Sequence, residues 1–66
     1  MVFRIREIRE KQGMSQLELS EKSGVTRATL WRLESEEGGE ATTLTLTKIA
    51  NALDVPVGEL FLAVNA

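Results

Sequence analysis

The segment Ser15-Gln16-Leu17-Glu18-Leu19-Ser20-Glu21-Lys22-Ser23-Gly24-Val25-Thr26-Arg27-Ala28-Thr29-Leu30-Trp31-Arg32-Leu33-Glu34 decides the fold. It reads as two short helices joined by a tight turn. Ser15 is a good N-cap, and Glu18 stands three residues later, which completes a capping box and starts a helix at Gln16. Gly24 ends that helix at about Ser23, because glycine enters the left-handed conformation without a steric penalty. Val25 fills the turn, and Thr26 caps a second helix over about 27–35. Counted from Gln16, apolar residues fall at positions four, ten, fifteen and eighteen: Leu19, Val25, Leu30 and Leu33. A small residue, Ser20, sits at position five and Gly24 at position nine. Two helices crossing at roughly 90–120° need this pattern. The bend needs a glycine, the close approach of backbones needs a small side chain, and both inner faces need apolar residues.

Working outward, Val2, Ile5 and Ile8 recur every third residue and Gly13 supplies a stop, so a helix is expected over about 2–12. After the central segment, Ser35-Glu36-Glu37-Gly38-Gly39-Glu40 is polar and glycine-paired, the composition of a surface loop. Leu46, Ile49, Ala50 and Leu53 form the stripe of an amphipathic helix over about 43–53. Residues 43–47 also alternate polar and apolar in the manner of a strand. A lone strand needs a partner, and no other segment offers one. Asp54 tolerates a helix-ending conformation, and Pro56 suits the first turn of a last helix over about 57–62. The expected architecture is all-α, with five short helices in a single domain over 1–66.

A chain of 66 residues buries only about 60% of the surface its unfolded form exposes. Small domains commonly compensate with disulfides or a metal, but this chain contains neither Cys nor His. A disulfide framework, a structural zinc site and Cys-His or Ser-His catalysis are therefore excluded. No metal, no cofactor and no enzymatic activity are expected. No apolar run approaches the roughly 20 residues of a membrane span, and no signal-peptide pattern opens the chain. The expected location is cytoplasmic, with no membrane partner.

The net charge of −2 conceals a gradient. Residues 1–33 hold seven basic groups (Arg4, Arg6, Arg9, Lys11, Lys22, Arg27, Arg32) against four acidic ones, a net of +3. Residues 34–66 hold only Lys48 against six acidic groups, a net of −5. The basic half contains the two-helix segment, which suits an anionic partner on that face.

The central segment resembles the helix-turn-helix of the Cro and phage-repressor type, the xenobiotic-response-element family of regulators. The resemblance extends over nearly the whole chain. Residues 5–9 look like the family's first helix, and residues 48–53 and 55–61 look like its fourth and fifth. It implies a five-helix, lambda-repressor-like domain that binds double-stranded DNA sequence-specifically and regulates transcription as a repressor. In such a domain the third helix lies in the major groove and its N-terminal residues meet base edges. Matched position by position, the resemblance implies that Arg27, Ala28 and Arg32 face bases, with Trp31 a further candidate.

Each of these has its own chemistry. The Arg27 fork suits guanine O6 and N7, and the Ala28 methyl suits a thymine methyl. Arg32 can read a second base or a phosphate. Trp31 lies outside the Leu30 and Leu33 stripe and is expected to be exposed. Helix N-termini favour anions, so Ser15, Gln16, Thr26 and Thr43 are candidates for the DNA backbone, joined by Thr29 and Ser35. The resemblance further implies that Gln16 grips a phosphate and braces the third helix. It also implies a structural ion pair of Arg9 with Glu34.

Two features depart from the family pattern. The loop carries Glu36, Glu37 and Glu40 and no Pro, where relatives are commonly basic or neutral. Ser20 stands where Ala is usual and brings a hydroxyl that needs a partner. The tail is also unusually apolar. Leu60, Phe61, Leu62 and Val64 are expected at a homodimer interface, unless Leu60 and a neighbour complete the core. The alternative function is a protein-interaction module, in which the acidic loop and apolar tail hold a protein partner.

Overall fold

The computed structural model describes residues 3–35 and 39–61. Four α-helices and one short 3-10 helix follow in order: α1 (Ile5–Lys11), α2 (Gln16–Ser23), α3 (Arg27–Glu34), α4 (Thr43–Leu53) and the 3-10 helix Val57–Leu60. The all-α expectation holds, and residues 43–47 are helical rather than extended.

The caps act where the sequence puts them. Glu18 N–H donates to Ser15 Oγ at 3.0 Å while Ser15 N–H donates to Glu18 Oε1 at 3.1 Å, a reciprocal capping box. Thr29 N–H donates to Thr26 Oγ1, and Thr45 N–H donates to Thr42 Oγ1, which fixes the starts of α3 and α4. Gly24 ends α2 with φ +75°, and Asp54 ends α4 with φ +58°. Ser20 has the partner its hydroxyl needs. Its Oγ donates to the Val25 carbonyl at 2.7 Å, which ties α2 to the turn.

Each helix contributes to one apolar centre. Ile5, Leu19, Leu30, Leu33, Ile49, Leu53 and Leu60 are almost fully buried, with Phe3, Ile8, Met14, Val25, Leu46 and Ala50 around them. α4 packs against both α2 and the 3-10 helix, and α2 packs against α3. The two helices of the turn are thereby held on a common floor, with the outer face of α3 left to solvent.

The two ends of the chain depart from expectation. The first helix starts at Ile5 rather than near residue 2, because Phe3 and Arg4 pair with the last described residues. Phe3 forms an isolated antiparallel bridge with Phe61, and Arg4 N–H donates to the Leu60 carbonyl at 2.7 Å. The two phenyl rings meet at a centroid distance of 5.8 Å. The same bridge shortens the last helix. Phe61 is extended at φ −87°, ψ 140°, and only four residues, with Gly58 among them, form the 3-10 turn. Leu60 is not an interface residue: it has no exposed surface and completes the core between α4 and the N-terminus. Phe61 is half-buried. Leu62 and Val64 lie outside the described residues, as do Glu36 and Glu37 of the acidic loop.

Candidate nucleic-acid interface

α3 presents its outer face along a row of positions. Arg27 and Ala28 occupy the first turn, and both are exposed. Among the described residues no ion pair or hydrogen bond holds the exposed Arg27 guanidinium. Trp31 lies one turn further on and is 70% exposed, the most exposed large apolar side chain among the described residues. Thr29 is half-buried; its hydroxyl accepts from Thr26 Oγ1 at 3.0 Å. Ser35 caps the far end, where its Oγ donates to the Arg32 carbonyl at 2.7 Å.

Arg32 takes a different direction from Arg27. Its Nη1 donates to the Glu40 carbonyl at 3.0 Å, so the side chain reaches the described part of the α3–α4 connection at Gly39 and Glu40. Gly39 makes room for it. Gly39 has φ +114°, and a Cβ there would stand 2.7 Å from Arg32 Nη1. This residue of the α3 surface is therefore fastened to the loop.

Behind α3 lies a polar knot. Arg9 Nε and Nη2 donate to the two carboxylate oxygens of Glu34 at 3.0 and 2.9 Å. Arg9 Nη1 donates to the Met14 carbonyl at 2.8 Å. Gln16 Nε2 donates to Glu34 Oε1 at 3.4 Å. Both charged side chains are largely buried, at 11% and 5% exposure. Hydrogen bonding to Glu34 raises the Arg9 pKa above its ordinary value against the opposing cost of burial. One pair thus joins α1, the start of α2 and the end of α3, and fixes how α3 is presented.

Between α1 and α3 is a surface cleft of about 390 Å³, lined by Arg6, Arg9, Gln16, Trp31, Glu34 and Ser35. Sequence reasoning missed Arg6 as a member of this face. The signal was available, since Arg6 precedes Arg9 by three residues and therefore shares its side of α1. Arg4, by contrast, is engaged elsewhere by Glu7 at 2.8 Å and Glu59 at 3.6 Å. Its hydrogen bond and charge hold the exposed Glu7 carboxyl below the usual carboxylate range. Ser15 and Thr43 are exposed at the starts of α2 and α4.

A family model described as helix-turn-helix matches residues 5–60, which spans the four helices and the 3-10 turn. The chain belongs to the Cro and phage-repressor type of helix-turn-helix proteins. Among solved structures, this helix-turn-helix chain is similar to the restriction-modification controller protein C.AhdI from Aeromonas hydrophila. The two are 34% identical, with a TM-score of 0.80, over 88% of this chain and 86% of that one. A search of curated proteins returned no match. As a helix-turn-helix regulator of this type, the protein binds double-stranded DNA and regulates transcription, and it is not an enzyme. No helix among the described residues is long and apolar enough to cross a membrane.

Proposed function

We propose that this helix-turn-helix protein is a homodimeric, sequence-specific repressor that reads the major groove with α3. The observation that carries the reading is the first turn of α3, where the Arg27 fork and the Ala28 methyl stand exposed on a helix held from behind by Arg9 and Glu34. Arg27 takes guanine O6 and N7, and Ala28 takes a thymine methyl. Ser15, Gln16, Thr26, Thr29, Thr43 and Ser35 serve the phosphate backbone from helix ends. Arg32, whose exposed guanidinium donates to the Glu40 carbonyl in the free chain, reads a second base or a phosphate once DNA is bound.

The likeness to a restriction-modification controller protein supports control of neighbouring genes of that kind, its own included. A single α3 spans few base pairs, and a twofold dimer places two such helices about 34 Å apart on one face of the duplex. An apolar groove of about 430 Å³ beside Phe3, Ala41, Leu46 and Phe61 supports a second copy at this end of the molecule.

The test is a footprint on the DNA upstream of the gene, with a solution mass taken under the same conditions. The expected result is a protected inverted repeat, with half-sites one helical turn or a whole number of turns apart, and a mass of two chains. A uniform footprint or none would overturn the reading.

A further inference from the structure

We infer that the cleft between α1 and α3 seats one strand of the DNA backbone, with Arg6 taking a phosphate and the Trp31 indole lying against the adjoining deoxyribose. The inference rests on the proposed reading, in which α3 enters the major groove.

The cleft holds two arginines, and only one is available. Arg9 spends three donors on Glu34 and the Met14 carbonyl. Its charge is matched by a carboxylate with 5% exposure. Recruiting it to a phosphate would leave Glu34 buried and unpaired, which is costly. Arg6 is the opposite case. Its side chain is 65% exposed, and its partner among the described residues is Glu10, through one 3.3 Å contact between exposed groups. An exposed pair of this kind is worth little and exchanges readily for a phosphate.

Trp31 supplies the second half of the seat. It follows Arg27 by four residues and so shares its side of α3. With the first turn of α3 in the groove, Trp31 stands at the groove lip, on the side where α1 carries Arg6. An indole has one N–H donor and no acceptor, so it lacks the paired contact by which Arg, Asn or Gln grips a base edge. Its broad apolar face suits a sugar. Its 70% exposure in the free chain is then explained as surface kept for a partner. The Arg9–Glu34 pair forms the neutral floor of the seat, and Gln16 and Ser35 flank it.

The experiment uses the full chain with two duplexes, the upstream DNA and a shuffled sequence of equal length. Binding of the wild type, Arg6→Gln and Trp31→Ala is measured over a salt series. Emission of the chain's single tryptophan is followed in the wild type. Arg6→Gln is expected to weaken both duplexes by the same factor and to lower the salt slope by about one. Trp31→Ala is expected to weaken both by roughly tenfold with their ratio unchanged. Wild-type Trp31 emission is expected to change on saturation with either duplex. The inference is overturned by an unchanged salt slope in Arg6→Gln, by a Trp31→Ala variant that loses discrimination, or by emission that ignores bound DNA. In each of those cases the wild type still prefers its own site and the proposed function stands. A wild type that binds neither duplex overturns both.

Discussion

Arg9 and Glu34, separated by 25 positions in the chain, meet through two parallel hydrogen bonds of 3.0 and 2.9 Å. The fork-to-fork geometry is directional as well as strong. It sets the angle between α1 and α3, and through Gln16 and the Met14 carbonyl it also fixes where α2 begins. Presentation of the outer face of α3 therefore depends on a buried polar pair.

That pair yields a stability prediction. Arg9→Met or Glu34→Leu alone leaves a buried charge without its partner and should cost about 3–5 kcal/mol. The double variant should lose much less than the sum, because no charge remains unpaired. Thermal or urea unfolding of the four chains as a double-mutant cycle measures this. Strictly additive losses would mean that the pair is not coupled.

Gly24 gives a purely backbone prediction. It sits at φ +75°, and among the described residues nothing beyond its own chain neighbours lies within 4 Å of the place a Cβ would occupy. Gly24→Ala should cost about 1–2 kcal/mol from the left-handed conformation alone. In a domain of this size each kcal/mol lowers Tm by about 4–8 °C. Calorimetry checks it, and Gly24→Asn should cost less, because Asn visits this conformation more readily.

Gly39 differs, because sterics add to conformation. A Cβ there meets Arg32 Nη1 at 2.7 Å. Gly39→Ala should therefore dislodge Arg32 from the Glu40 carbonyl as well as strain the backbone. In an Arg32→Ala background the steric part is gone, so the second substitution should cost less there than in the wild type. Comparing the two denaturation differences tests whether Arg32 is a clasp for the α3–α4 connection.

Arg27 gives the specificity prediction. Arg27→Ala should cost about 1–3 kcal/mol on the preferred duplex and should flatten the preference at one base pair per half-site. Binding to a set of duplexes, each with one base pair exchanged, reads this directly. If the profile keeps its full preference at every position, Arg27 does not read a base.

Much of this was legible in the residues. Ser15 with Glu18, Thr26, Gly24 and the Leu19, Val25, Leu30 and Leu33 pattern are local signals, and each acts locally in the structure. What escaped was long-range. The bridge between Phe3 and Phe61 joins residues near opposite ends of the sequence. No local periodicity encodes a bridge of that separation, so the first helix was expected too early and the last too long. Leu60 looked like part of an apolar tail, yet the bridge turns it inward. The direction of Arg32 depended on Gly39, seven residues on, whose φ of +114° is not written in a glycine-paired loop. Arg6 shares the Arg9 side of α1, but only the packing of α3 against α1 brings that side beside Trp31.

The most direct measurement is wild-type affinity for the upstream duplex and for a shuffled duplex of equal length, over about 50 to 200 mM salt. A helix-turn-helix that reads bases with Arg27 and holds phosphates around α2 and α3 should prefer its own site by about a thousandfold or more. The logarithm of affinity should fall linearly with the logarithm of salt for both duplexes. Equal affinity for the two duplexes at every salt concentration would contradict sequence-specific reading by α3.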